Sequence, residues 1–160
     1  MSSLLIIGAG GHGRVVAEIA VVCGYDDRSI AFLDDNSPDA IGVVKDMELY
    51  APRYDNVFVA IGNNVARQQI SEQLCQIEGV ELVTLIHPTA YVSPSATVGL
   101  GTVIEPKAVV NTHSRIGQGC IISVGTIVDH DCVIGDFCHI NAGMICGAGC
   151  RVEALSRISK

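Results

Sequence analysis

Residues 127–140 read IVDHDCVIGDFCHI, and few stretches of the chain hold more reactive side chains. His130 lies between Asp129 and Asp131, with Cys132, Cys138 and His139 close behind. Three chemistries are open to such a set. Histidines, acids and thiols can ligate a metal. Two cysteines can form a redox pair. An imidazole beside a carboxylate can act as a general base, because its ordinary pKa of ~6.5 lets it take a proton near neutrality. The choice depends on where the backbone aims each side chain.

That backbone carries a six-residue repeat. Every sixth residue from Ile86 to Ile158 is Ile or Val, Cys146 excepted. Four places after each stands a small residue, from Ala90 to Ser156, with Met144 the exception. No insertion breaks the register. This is the hexapeptide pattern of a parallel β-helix. The small residue and the next aliphatic are two apart, so both point inward from one short strand, and the residue between them points out. Three hexapeptides close a triangle, so a coil takes about 18 residues, and strands of successive coils pair ~4.8 Å apart. Gly99, Gly117, Gly135 and Gly147 recur where the chain turns a corner.

The register sorts the candidates. Cys120, Cys132, Cys138 and Cys150 occupy the small inward slot and Cys146 the aliphatic one, where a free thiol packs as a small hydrophobe. Their spacings of 6 and 12 miss the paired C-x-x-C of zinc sites. Neither a metal site nor a thiol nucleophile is expected. His113, His130 and His139 fall on corner or outward positions, and His130 has an acid on each side.

Residues 1–84 read differently. Leu4 to Ile7 form a short apolar run. GAGGHG, residues 8–13, fits G-x-G-x-x-G, and Val15, Val16, Ile19, Ala20 and Cys23 follow at helical spacing up to Gly24. SIAFLDDN reads as a second strand ending in Asp34 and Asp35, about twenty residues past the glycine turn, as in dinucleotide folds. NVFVAIGNN reads as a third strand, VARQQISEQLCQI as an amphipathic helix and VELVTLI as a final strand. Glycines let backbone approach an anion, and a helix start presents free N–H groups to it. Asp34 or Asp35 can accept from a ribose or a base. A nicotinamide enzyme needs a second βαβ half, and too little chain precedes the repeat, so a mononucleotide or nucleotide-sugar suits better.

The totals fit two domains, 1–84 and 85–160, in 160 residues that are 49% hydrophobic and contain no Trp. The first holds five basic and twelve acidic side chains and the second five of each. A net charge of −7 argues against a nucleic-acid partner held by phosphate contacts. MSSLLIIGAGG does not read as a secretory signal, so none is expected, and no run approaches the ~18 apolar residues of a membrane span. A cytoplasmic location and reduced thiols are expected.

GAGGHG, FLDD, AIGNN, LIHPTAYVSPSATVG and DHDCVIGDFCHI together resemble the left-handed β-helix acyltransferases with an N-terminal Rossmann-like domain. That family includes nucleotide-amino-sugar N-acetyltransferases of bacterial glycan pathways and sialic acid O-acetyltransferases. The resemblance covers essentially the whole chain. It implies transfer from acetyl-CoA, without a metal, to a nucleotide-linked amino sugar, with sugar O-acetylation as the alternative. It also implies left-handed coils and a homotrimer with active sites between neighbouring β-helices. The family's base falls on His130 and its acid partner on Asp131, where several relatives carry Glu. His139 and Gly143 fall near the acetyl-CoA, Gly143 as a backbone donor to the thioester. Gly10, Gly11 and His12 would contact the sugar nucleotide, Asp34 and Asp35 would lie near its base, and Gly62 and Asn63 close by. Relatives run further than RISK, so a truncated or short array with a weakened donor site is expected. Two rival readings stand beside this one: a nicotinamide oxidoreductase, resting on the glycine turn and Asp34, and a non-catalytic nucleotide-sugar-binding scaffold.

Overall fold

The computed structural model describes residues 2–159, which divide between Val83 and Thr84 into two compact units. The first is a small α/β unit. Strands β1 (Leu4–Ile7), β2 (Ile30–Leu33) and β3 (Asn56–Val59) form a parallel sheet in the order β2-β1-β3. β1 is central and fully buried, as its unbroken apolar run requires. Helix α1 (Gly11–Val22) buries Gly13, Val16, Ile19 and Ala20, residues three and four apart on one face. It ends at Gly24, whose φ of +108° lets Tyr25 N–H reach back to Ala20 O. A short α2 (Met47–Tyr50) follows β2, and α3 (Asn64–Leu74) follows β3.

VELVTLI does not form a further strand of this sheet. Leu82 makes one parallel bridge to Val57, flanked by hydrogen bonds to Glu81 O and from Val83 N–H. Leu85–Ile86 instead pairs with Val103–Ile104. The hexad period starting at Ile86 has captured the segment's end.

The second unit is a β-solenoid of about four turns. Its described residues form thirteen two-residue strands, from Leu85–Ile86 to Arg157–Ile158, in three parallel sheets. Every strand pairs with those 18 residues away: Ile122 with Ile104 and Ile140, Val128 with Val110 and Cys146, Ile134 with Ile116 and Val152. The inward aliphatics and small residues form one continuous core. Cys120, Cys132, Cys138 and Cys146 are buried in it and Cys150 is half-buried, all as free thiols. Burial, with Cys132 and Cys146 beside it, pushes the Cys150 thiol up to about 12.

The small slot does more than leave space. Thr84, Thr102, Ser114, Cys120, Thr126, Cys132 and Cys138 each donate from the side chain to the carbonyl 15 residues ahead. Corner carbonyls turn away from the strand ladders, and these hydroxyls and thiols satisfy them.

The corners have one conformation. The third residue after each inward aliphatic has positive φ at ten successive corners, from Gly101 to Leu155. Five are glycine, and Asp131 (φ +59°) is among the rest. Aspartate is one of the few non-glycine residues that tolerates this region.

Candidate active site

Adjacent residues in a strand point to opposite faces, so His130 and Asp131 would diverge there. Asp131 occupies the positive-φ place of a corner turn, and that brings the two side chains together. His130 Nδ1 lies 2.7 Å from Asp131 Oδ2. A carboxylate only accepts, so Nδ1 carries the hydrogen and Nε2 keeps its lone pair. The two side chains are 54% and 61% exposed, which leaves Nε2 accessible to a substrate. The hydrogen bond to Asp131 and the nearby charge of Asp129 raise the His130 pKa above its ordinary value.

The next coil supports this corner. Asn111, 18 residues before Asp129, donates from Nδ2 to Asp129 Oδ1 at 3.1 Å, and His130 N–H donates to the same oxygen at 2.7 Å. Those two bonds hold the Asp129 carboxyl below the usual range. Asn111 Oδ1 also accepts from Thr112 N–H. Sequence reading missed Asn111, although adding one coil length to it lands on Asp129. Asn111→Ala is expected to lower kcat roughly three- to tenfold, the worth of one ordinary hydrogen bond, with little change in melting temperature; steady-state kinetics checks it.

His139 takes the outward slot of the His139–Ile140 strand, and Gly143 stands at the corner that follows it. With Ser123, Asn141, Ala142, Met144 and Ser159, His139 lines an open groove of about 520 Å³. Its Nε2 is 3.2 Å from Ser123 Oγ. Gly143 has open space where a side chain would stand. Its N–H already donates to Val124 O at 3.0 Å, so the donation expected from it to a thioester is committed to the coil ladder. Within one chain the fold does not bring this groove to His130: one solenoid face separates their corners.

The seven residues expected at the nucleotide gather along the carboxyl edge of the sheet. Gly10 and Gly11 are exposed at the start of α1, with nothing within 4 Å of where a Cβ would stand. That helix has no side-chain cap and no acid in its first turn, so its N–H groups suit an anion. His12 is half-buried beside them. Asp34 also has a structural use. Oδ2 accepts from Ala9 N–H at 2.8 Å, and Oδ1 from Asn36 and Ser37 N–H. These bonds, that from Ala9 foremost, hold its carboxyl below the usual range. Asp34 therefore fixes the glycine turn. Asp35 is exposed and accepts from Val44 N–H through Oδ1. Gly62 is exposed, and Asn63 caps α3 by accepting from Ala66 N–H. Beneath them the buried Arg67 donates to Ile61 O and to Asn64 Oδ1, both at 2.8 Å. Sequence reading missed it, because an arginine on a polar helix gives no sign of facing inward.

Coils with an imidazole–carboxylate pair at a corner, following in sequence an α/β unit with a glycine turn, define a hexapeptide-repeat protein. Residues 3–74 match the PglD N-terminal domain family. The chain is 40% identical to the acetyltransferase domain of PglB from Neisseria gonorrhoeae FA1090, with 99% of this chain and 80% of that one covered and a TM-score of 0.91. The same domain has been solved with acetyl coenzyme A. Perosamine N-acetyltransferase from Caulobacter crescentus is 28% identical, with 100% and 90% coverage and a TM-score of 0.79. It was solved as a histidine-to-asparagine variant with CoA and GDP-perosamine. UDP-N-acetylbacillosamine N-acetyltransferase of Bacillus subtilis (strain 168) is 37% identical over 112 residues, 63% of this chain and 50% of that protein. This chain belongs to the hexapeptide-repeat acetyltransferase family, in the group that carries a PglD N-terminal domain. The match thus spans half the length of the Bacillus relative.

Proposed function

We propose that the protein transfers an acetyl group from acetyl-CoA to the amine of a nucleotide-linked sugar. The observation that carries this reading is the exposed His130 imidazole, bonded through Nδ1 to Asp131 and open at Nε2. Nε2 takes the proton as the sugar nitrogen attacks the thioester carbonyl, and the imidazolium returns it to sulfur as the carbon–sulfur bond breaks, so CoA leaves as its thiol. Asp131 orients the ring and stabilises the imidazolium. The inward, buried cysteines take no part.

In this reading the first unit is Rossmann-like, and its carboxyl edge receives the nucleotide at Gly10, Gly11 and His12. Asp35, Gly62 and Asn63 stand nearby, with Asp34 and Arg67 holding the loops. The solenoid is left-handed and assembles as a homotrimer, in which the His130 corner of one copy meets the His139 and Gly143 corner of the next and the donor lies between. Tyr91, Val109, Ile127 and Ile145 support the assembly: they form an apolar outward stripe on one face, with Tyr91, Ile127 and Ile145 exposed. The reaction places the protein in the cytoplasm, where acetyl-CoA is available; among the described residues no helix is long and apolar enough to cross a membrane.

The test is thiol release from acetyl-CoA with a panel of UDP- and GDP-linked amino sugars, and mass spectrometry of the product. One acceptor gaining a single acetyl group on nitrogen supports the reading. Acetylation of a hydroxyl moves it to sugar O-acetylation, and no turnover with any acceptor removes it.

A further inference from the structure

A second groove adjoins the His130 corner. It measures about 560 Å³ and is lined by His113, Arg115, Asp131, Val133 and Arg151. Arg115 and Arg151 occupy outward slots on strands either side of Val133, which pairs with both. Two strand spacings put their Cα atoms about 10 Å apart. Both are exposed, and neither has an ion-pair partner among the described residues. The one acid in the groove, Asp131, is bonded to His130. The protein carries a net charge of −7, so two adjacent uncompensated guanidiniums run against its overall balance. They concentrate positive charge beside the proposed base.

Guanidinium is a planar fork that binds phosphate oxygens bidentately. The half-buried Val133 floor between the two arginines displaces water and strengthens such contacts. We propose that this groove is a diphosphate subsite, in which Arg115 and Arg151 hold the diphosphate ester of a substrate. The inference rests on the acetyl-transfer reading, in which CoA and the sugar nucleotide both carry that group.

Calorimetric titration of CoA and of UDP into four forms of the full chain tests it. These are the wild type, Arg115→Gln/Arg151→Gln, Arg115→Lys/Arg151→Lys, and the control Arg28→Gln/Arg53→Gln, which removes equal charge from the first unit. All four positions are exposed, and melting curves check that each form is folded. The glutamine pair is expected to bind one of the two ligands about tenfold or more weakly. The lysine pair recovers part of the loss, and the control binds as the wild type does. Weakened CoA binding with unchanged acetyl-pantetheine binding assigns the groove to the donor, and weakened UDP binding assigns it to the acceptor. The inference is overturned if the glutamine pair binds both ligands normally, if the control loses as much, or if the wild type binds neither. A wild type that binds, and loses binding in the glutamine pair, yet transfers no acetyl group keeps the groove and removes the acetyl-transfer reading.

Discussion

Replacing His130 with alanine is expected to lower kcat by about 10²–10⁴-fold, the usual contribution of a positioned general base. The KM for acetyl-CoA should stay near its wild-type value, because the imidazole acts on the acceptor's proton. The fold should be unaffected. The side chain is half exposed, and the bond that anchors the corner runs from the His130 backbone N–H to Asp129, which alanine keeps. Steady-state kinetics beside a melting curve separates the two effects. A variant that keeps more than about a tenth of wild-type kcat would show that another group takes the proton.

Gly13→Ala is expected to cause the largest loss of stability. A Cβ there would stand 2.1 Å from Gly8 O and 2.9 Å from Gly8 C. Both are backbone atoms that no rotamer change can move. Helix α1 would have to lift from the sheet, taking the buried Val16 and Ile19 with it. Overpacking of this kind costs about 3 kcal/mol, and a unit of this size then melts roughly 15 °C lower. Gly10→Ala and Gly11→Ala supply the contrast. Their Cβ atoms would meet nothing within 4 Å, so the melting temperature should stay close to wild type. Nucleotide binding should weaken instead, since in the proposed site the added methyl would stand where the anion meets the helix start. Calorimetric melting and UDP titration of the three variants check both halves.

The coil was legible because a prism interior repeats its demand every six residues, and Ile104, Val110, Ile116 and their successors answer it without a gap. The second demand of the small slot was not legible. That Cys132 and Ser114 bond corner carbonyls depends on a partner 15 residues away and on the coil's turn. The His130–Asp131 contact was hidden for a similar reason. Neighbours in sequence meet only if the second has positive φ, and the hint lay at equivalent corners, where Gly119, Gly125, Gly143 and Gly149 stand. The second use of Asp34 was not legible, because an acid at that spacing does not show that three amides of its own chain also reach it. The strand expected at VELVTLI failed because two periodicities compete there, and the solenoid's took Leu85–Ile86.

The central claim is that a corner of the solenoid holds one imidazole ready to take a proton, tuned by Asp131. The dependence of kcat/KM on pH, for wild type and Asp131→Asn, tests it most directly. Protonated imidazole cannot act as a base, so activity falls as pH drops through the His130 pKa. Because Asp131 and Asp129 raise that pKa, the wild-type acid limb should lie above the ordinary ~6.5. In Asp131→Asn it should move to lower pH while the plateau falls. An acid limb that the substitution leaves in place, or a rate that does not depend on pH through this range, would contradict the assignment.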